Sequence, residues 1–383
     1  MSFEVLLDEF SGGQIAFAIG LAIGLLFGVV AQQSQFCLRA ACVEFWRRET
    51  GVKTVVWLLT FGAAMLATQA FIEGGLIDTG RVRQLNNPGS ISGAIVGGLI
   101  FGSGMILCRG CASRMLVLSA TGNVRALVAG LVVTIVAQAS YRGGLSPLRE
   151  AISSWWVVDA HQRGFSHWLP PYGGVLLGAL LLGLALWLLR RHPVRRWHAA
   201  AGALAGLTIA LAWLINSLHA ANSFDVIPVQ SISFTGPSAD TLMGLINEPS
   251  LPLTFDIGLV PGVFAGSMLA ALATREFRWQ RFTAESGTVR YLIGATLMGF
   301  GAMLAGGCAV GACISGGVML VVTAWVALVC MVIGAGLTDW LVDRRAGRAQ
   351  VTPARRHVAP PADSRGQDER AAPPRPLPAA GSA

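Results

Sequence analysis

Apolar residues along this chain gather into runs long enough to cross a bilayer, and the links between them are polar and rich in arginine. About 20 mainly apolar residues span a hydrocarbon core as a helix. By that measure the runs at 14–31, 54–72, 91–107, 124–140, 172–189, 199–216, 257–273, 289–305 and 318–340 predict nine transmembrane helices. Shorter apolar pieces at 36–46, 112–120, 239–247 and 309–316 cannot cross. Segments of that kind are tolerated at membrane depth only when packed against protein or lining a cavity. They are expected as half-helices or re-entrant pieces. The predicted fold class is an all-α polytopic membrane protein of about nine transmembrane helices and four short half-helices.

The polar links orient these spans. Residues 32–53 carry Arg39, Arg47, Arg48 and Lys53, residues 190–198 carry Arg190, Arg191, Arg195 and Arg196, and residues 274–290 carry Arg275, Arg278, Arg281 and Arg290. The connection 217–256 has no Lys or Arg but holds Asp225, Asp240, Glu248 and Asp256. The positive-inside rule assigns the first three to the cytoplasm and the fourth to the outside. Nine spans then give an outside N-terminus and a cytoplasmic C-terminus in a bacterial inner membrane. The link 141–171 fits less well, because it falls outside yet holds Arg142, Arg149 and Arg163. The acidic start, MSFEVLLDEF, lacks a basic signal-peptide region, so the first apolar run is expected to be a retained helix.

A device is written twice. Residues 102–114 read GSGMILCRGCASR, and residues 299–311 read GFGAMLAGGCAVG, 197 positions later. Under the nine-span topology the two copies enter the membrane from opposite faces. That pattern marks an inverted repeat with a site near the midplane, where interrupted helices meet. The expected domains are a transmembrane region, 1–343, with repeat halves at about 14–140 and 199–340, and a disordered cytoplasmic tail, 344–383. The tail is rich in Pro, Ala and Arg and cannot bury a core. In each copy a glycine directly before the cysteine, Gly110 or Gly307, is expected to permit unusual backbone angles and a helix break.

Composition supports this picture and narrows the chemistry. The chain has 383 residues, 54% hydrophobic and 13% charged, against roughly 25% charged in average soluble domains. The formal net charge of +8 is nearly all arginine in loops, without the basic face and stacking aromatics of a nucleic-acid binder. All seven cysteines lie in or beside apolar segments, unlike a secreted disulfide framework. Cys111 and Cys308 follow glycines at presumed helix breaks. A cysteine at a helix start is a more available thiol, and free backbone amides there attract anions. Two such thiols suit a soft, sulfur-containing anion. Cys37, in AQQSQFCLRAAC, is the third candidate. Cys108, Arg114 and Cys313 are secondary candidates, and Arg109 with Arg114 would either form an anion-attracting cytoplasmic vestibule or serve as ordinary positive-inside anchors. Cys108 and Cys111 also form a C-x-x-C pair, which leaves open a membrane-embedded sulfurtransferase or redox protein. No βαβ pattern accompanies the pair, the second copy has Ala305 in place of Cys108, and zinc would want four Cys or His ligands. No metal or cofactor is expected.

The stretches QSQFCLRA (33–40), FGSGMILCRGCASRMLVLSATGN (101–123), AWLINS (212–217), VQSISFTGPSADTL (229–242) and GFGAMLAGGCAVGACISG (299–316) resemble the YeeE/YedE family of sulfur-compound transport proteins. The similarity covers about residues 14–340. It implies a transporter rather than an enzyme, with thirteen helical pieces and inverted pseudo-symmetry. It also implies passage of thiosulfate or a related anion between Cys37, Cys111 and Cys308 through S–H···S hydrogen bonds in a central constriction. Some relatives work with a small cytoplasmic sulfur-carrier protein, which here would be a separate partner. The first copy departs from the Gly-Gly-Cys-x-x-Gly typical of thiosulfate carriers: it reads Arg-Gly-Cys-Ala-Ser-Arg, so Cys108 and Arg114 are extra.

Overall fold

The computed structural model describes residues 11–344 apart from 50, 193, 224–226, 248, 250 and 281–287. The acidic start, nearly all of the 344–383 tail, and Asp225, Glu248 and Arg281 lie outside the described residues. Among the described residues, nine helical stretches are long and apolar enough to cross a membrane. The elements are α1 (Gly12–Ser34), α2 (Leu38–Arg47), α3 (Val52–Glu73), α4 (Ile91–Leu107), α5 (Ala112–Ala120), α6 (Val124–Arg142), α7 (Gly173–Arg191), α8 (Arg196–Asn222), α9 (Thr235–Asn247), α10 (Phe255–Ala273), α11 (Thr288–Leu304), α12 (Ala309–Ser315) and α13 (Val322–Thr338). The four short pieces predicted from the sequence are α2, α5, α9 and α12. Of these, α12 is wound with wide π-helical turns, a form frequent at functional sites.

Two elements run past their apolar runs, for physical reasons. Helix α8 continues through the polar stretch NSLHAAN, where Asn216 and His219 each find a backbone partner inside the protein. Asn216 Nδ2 donates to the Gln230 carbonyl at 2.9 Å, and His219 Nε2 lies 3.1 Å from the Gly12 carbonyl oxygen. Helix α9 starts at Thr235, with Pro237 in its first turn, where a missing N–H costs nothing. The link between α6 and α7, expected to be plain loop, carries helical turns at Ser146–Ser153 and Ala160–Arg163. It also forms a small antiparallel pair in which Val157 and Val158 face Ser90 and Gly89.

The packing pairs follow one rule. Helix α1 packs on α10 as α8 packs on α3, and α4 packs on α13 as α11 packs on α6. The short pieces obey it too: α2 lies against α3 and α13, as α9 lies against α10 and α6. Helices α1 and α8 touch each other, and so do α4 and α11. Exchanging the first six elements for the last six maps each pairing onto another, with α7 left over. Helix α7 packs mainly on α3 and turns Leu176, Leu180, Leu184 and Trp187 outward, as suits a lipid-facing linker. Exposed tryptophans cluster near helix ends: Trp155, Trp156 and Trp168 in the 141–171 link, and Trp187, Trp197 and Trp279 at the opposite, arginine-rich ends. Such belts mark the two membrane interfaces.

The repeated glycines obey the same exchange. A Cβ on Gly104 would sit 2.7 Å from the Gly294 carbonyl oxygen on α11, and one on Gly301 would sit 2.7 Å from the Phe101 amide on α4. Gly102 meets the Met331 carbonyl of α13, as Gly299 meets the Val133 carbonyl of α6. Small residues at these crossings let backbones touch, which is how helices associate without a hydrophobic drive in lipid. Gly301→Leu is therefore expected to destabilise the fold by about 1–3 kcal/mol or more. Gly183→Ala, which meets open space, should have no such effect. Thermal unfolding of the detergent-solubilised variants checks both.

Candidate functional site

The three candidate cysteines share one backbone design. A helix ends, one residue adopts left-handed angles, and the cysteine two positions later opens a short helix in extended conformation. The left-handed residues are Gln35 (φ 51°), Arg109 (φ 56°) and Gly306 (φ 82°), followed by Cys37, Cys111 and Cys308 as caps of α2, α5 and α12. This corrects the expectation for the first copy. There Arg109 turns the chain and Gly110 keeps an ordinary φ, whereas in the second copy Gly306 and Gly307 (φ 153°) both lie in the positive region. A non-glycine residue held left-handed costs roughly 1–2 kcal/mol, so packing must enforce the turn at Arg109.

The cap geometry aims each thiol along the start of its helix. The Cys308 sulfur accepts from the Gly311 N–H at 3.4 Å. The thiols of Cys37 and Cys111 lie beside the matching amides of Ala40 and Arg114. Cys111 and Cys308 are each 1% exposed, so a ligand reaching them leaves water behind.

The structure brings Cys37 and Cys111 together, with their thiols close enough to share a hydrogen bond. The Cys111 sulfur also lies 3.3 Å from Ser113 Oγ. Cations lie near Cys37. The charges of Arg114 and Arg39 reach Cys37, and Lys53 lies near both Arg114 and Cys37. Lys53 Nζ donates to Gln35 Oε1 at 2.8 Å. One Nη of Arg114 and the Nε of Arg39 are buried with no hydrogen-bond partner among the described residues. Glu44, the acid on α2, lies near Lys53. Its carboxylate accepts from the amides of Lys53 and Thr54 and from Thr54 Oγ1. Buried guanidinium nitrogens without partners are costly, which leaves two donors open to an acceptor. The sequence marked Arg114 as a candidate but treated Arg39 and Lys53 only as cytoplasmic anchors.

Cys308 stands apart from that pair. Cys313 lies near Cys308 and near Cys42, and Cys42 lies near Cys37. All of these cysteines belong to one buried core. The offset of 197 residues that carries Cys111 to Cys308 carries Cys37 to Phe234. Phe234 precedes α9 as Cys37 precedes α2. It is fully buried and its ring stacks at 5.5 Å on Phe27. At the position of Arg114 the second half has Gly311, and a Cβ there would strike Ser233 Oγ. The extended segment ahead of Phe234 is held by side chains: Ser315 Oγ donates to the Ile232 carbonyl at 2.7 Å and Ser231 Oγ to the Ile209 carbonyl at 2.9 Å. Non-helical backbone inside a membrane needs such partners.

The secondary cysteines face elsewhere. Cys108 Sγ donates to the Tyr291 carbonyl on α11 at 3.0 Å, and Cys313 Sγ donates to Met331 Sδ on α13 at 3.4 Å. All seven cysteines are free.

Cavities flank the two Gly-Cys turns. One of about 150 Å³ is lined by Cys108, Arg109, Gly110, Asn123, Arg125 and Tyr291. Its counterpart of about 20 Å³ is lined by Ala305, Gly306, Thr323, Gln84 and Arg163. A wider vestibule of about 750 Å³ opens between the starts of α1 and α10. It holds Arg83 and Arg142 but also Asp240 and Asp256, so it is no simple anion trap.

With this geometry in hand, comparison with known proteins is decisive. The profile of a family described as Sulphur transport matches residues 33–337. The chain belongs to the Sulphur transport family. The matched region takes in Cys37, Cys111, Cys308 and every repeated glycine discussed above. Two curated relatives carry the name thiosulfate transporter TsuA. The one from Escherichia coli (strain K12) is 28% identical over 86% of this chain and 95% of its own length. The one from Spirochaeta thermophila is 26% identical over 85% of this chain and 99% of its own length. A probable transporter YedE of Salmonella typhimurium is 28% identical over 45% of this chain and 40% of its own length. Membership in the Sulphur transport family, with nine spans among the described residues, places the chain among multi-pass membrane proteins of sulfur transport rather than among enzymes.

Proposed function

We propose that this protein imports thiosulfate, or a closely related sulfur oxyanion, along a path that runs from Cys308 to the Cys37–Cys111 pair. The observation that carries the reading is the convergence of two buried thiols with Arg39, Arg114 and Lys53, two of whose guanidinium nitrogens lack partners. Thiosulfate has a soft terminal sulfur and a hard, charged sulfonate end. Thiols match the first as S–H donors, and guanidinium groups match the second with charge-assisted hydrogen bonds. No step requires a bond to form or break.

The two halves, about 14–140 and 199–340, act as an inverted pair. Helices α4 and α11 are five crossings apart among the nine spans, so they run in opposite directions. The matched packing pairs and the 197-residue offset support this. Arginine-rich links at 32–53, 190–198 and 274–290 lie in the cytoplasm of a bacterial inner membrane by the positive-inside rule. The Cys308 turn then opens outward and the Cys111 turn inward. A separate cytoplasmic sulfur-carrier protein is a natural recipient of the imported sulfur.

The test is uptake of radiolabelled thiosulfate by vesicles reconstituted with the purified protein, with sulfate, sulfite and selenium analogues as competitors. Saturable uptake inhibited by sulfur-bearing analogues more than by sulfate is expected. Absence of uptake, or equal competition by sulfate, refutes the reading. A sulfurtransferase at Cys108 and Cys111 would instead leave a persulfide that mass spectrometry detects after exposure to thiosulfate.

A further inference from the structure

Arg163 is an anomaly of the sequence, a cation in the outward link. The structure gives it a place. The link residues Gly164 and Phe165 strap onto the turn that precedes α13: Gly164 bridges Val321, and the Phe165 amide donates to the Leu320 carbonyl at 3.1 Å. This lays the Arg163 side chain across the mouth beside Gly306. Its Nη1 donates to the Asn87 carbonyl at 2.8 Å and its Nε to Thr323 Oγ1 at 3.3 Å. Burial lowers its pKa, with a smaller contribution from the Arg83 charge, yet a guanidinium starts high enough to stay protonated. Gln84, whose buried amide oxygen has no partner, lines the same cavity. A half-turn of that amide presents its NH₂ group to an anion.

The equivalent cavity in the other half measures the closure. Cys108, Arg109 and Ala126 line the inner cavity where Ala305, Gly306 and Thr323 line the outer one, each pair 197 residues apart. The inner cavity is about 150 Å³ and the outer about 20 Å³. A space of the smaller size admits about one water and no thiosulfate. Both turns carry a strap, since Arg278 and Gln280 pair with Thr121, Gly122 and Val124 ahead of α6 as Gly164 and Phe165 pair with Val321 and Leu320 ahead of α13. The roomy and the nearly filled cavity therefore differ by the arginine laid across the outer one.

We propose that Arg163 latches the Cys308 mouth and is also the first group to bind the incoming oxyanion. In the closed form two of its five N–H donors are held by the Asn87 carbonyl and Thr323 Oγ1. An arriving sulfonate offers better acceptors to the same donors, so recognition and opening are one exchange of hydrogen bonds. The outward placement of this mouth rests on the topology in the proposed function, but the latch itself has a readout independent of transport.

The experiment uses the full chain in intact cells and a membrane-impermeant maleimide, with modification of Cys308 quantified by peptide mass spectrometry. Arg163→Ala is expected to raise the rate of Cys308 modification at least about tenfold, and to raise the half-saturating thiosulfate concentration by about tenfold or more, the size expected for one lost charge-assisted hydrogen bond. Arg163→Lys should fall between the parent and Arg163→Ala in both. Thr323→Val removes one acceptor but keeps the guanidinium, so it should speed modification without weakening half-saturation. Unchanged Cys308 modification in both Arg163→Ala and Thr323→Val overturns the latch, whatever uptake does. Faster modification in a protein that carries no thiosulfate supports the latch while refuting the transport reading.

Discussion

Thiosulfate uptake is expected to fall by up to about 100-fold when Cys111 or Cys308 is replaced by alanine, with protein levels unchanged. Each thiol is buried, and a desolvated anion beside it on the proposed path has few alternative donors. Losing one hydrogen bond to a buried charge costs about 3 kcal/mol at the upper end, which is about a 100-fold loss. The fold should tolerate the change, since alanine fits an extended cap position and leaves a void of little more than one sulfur atom. Cys37→Ala should behave like Cys111→Ala, because the two thiols meet. Cys42→Ala and Cys330→Ala are the controls. Cys42 packs beside an apolar groove formed by α2, α3 and α13, and Cys330 lies on α13 against Gly98, so uptake should stay within about twofold of the parent. Growth of a strain lacking its own uptake systems on thiosulfate as sole sulfur source measures all five. Full growth with both Cys111→Ala and Cys308→Ala would sink the cysteine path.

Arg114→Gln is the second large effect. It keeps hydrogen-bonding capacity and removes the charge. The half-saturating thiosulfate concentration should rise by about 10- to 150-fold, corresponding to the loss of roughly 1.5–3 kcal/mol of charge-assisted bonding. Arg114→Lys should recover part of the loss, limited by the poor match of a point charge to the space of a planar fork. An unchanged concentration dependence in vesicles would mean that Arg114 only anchors α5 at the interface. The same experiment bears on substrate choice. Gly311 holds the matching position in the other half, so Arg114 is an addition to one end of the path rather than part of the repeated frame.

Much of this architecture was legible before any coordinates. Runs of apolar residues are a strong signal, and α4 and α5 fall at 91–107 and 112–120, where the apolar pattern puts them. The repeat was readable because Gly102, Gly104 and Cys111 recur at one offset, and those glycines prove to be backbone contacts. What the sequence hid were features with no local signature. An arginine held at positive φ looks like any other arginine, so the turn was assigned to Gly110 instead of Arg109. Arg39 and Lys53 looked like ordinary cytoplasmic anchors until the fold brought them to Cys37 from two different helices. Arg163 stood out only as a misfit to the orientation rule, because its partners Asn87 and Thr323 are far away in sequence. Phe234 was hidden by its chemistry. The offset points straight at it, but nothing about a phenylalanine suggests the counterpart of a thiol.

That phenylalanine has a consequence for flux. A perfectly repeated pair of gates would load its cargo equally well from either face. On the proposed path one end offers two thiols and a cluster of cations, and the other offers one thiol, an aromatic ring, a glycine and the single cation Arg163. For a facilitative path the Haldane relation still fixes zero net flow at equal concentrations. Unequal half-saturation on the two faces must then be balanced by unequal maximal rates. The tighter inner end would thus go with a higher maximal rate inward than outward, a difference felt only near saturation, because at scarce cargo the two directions share one rate constant.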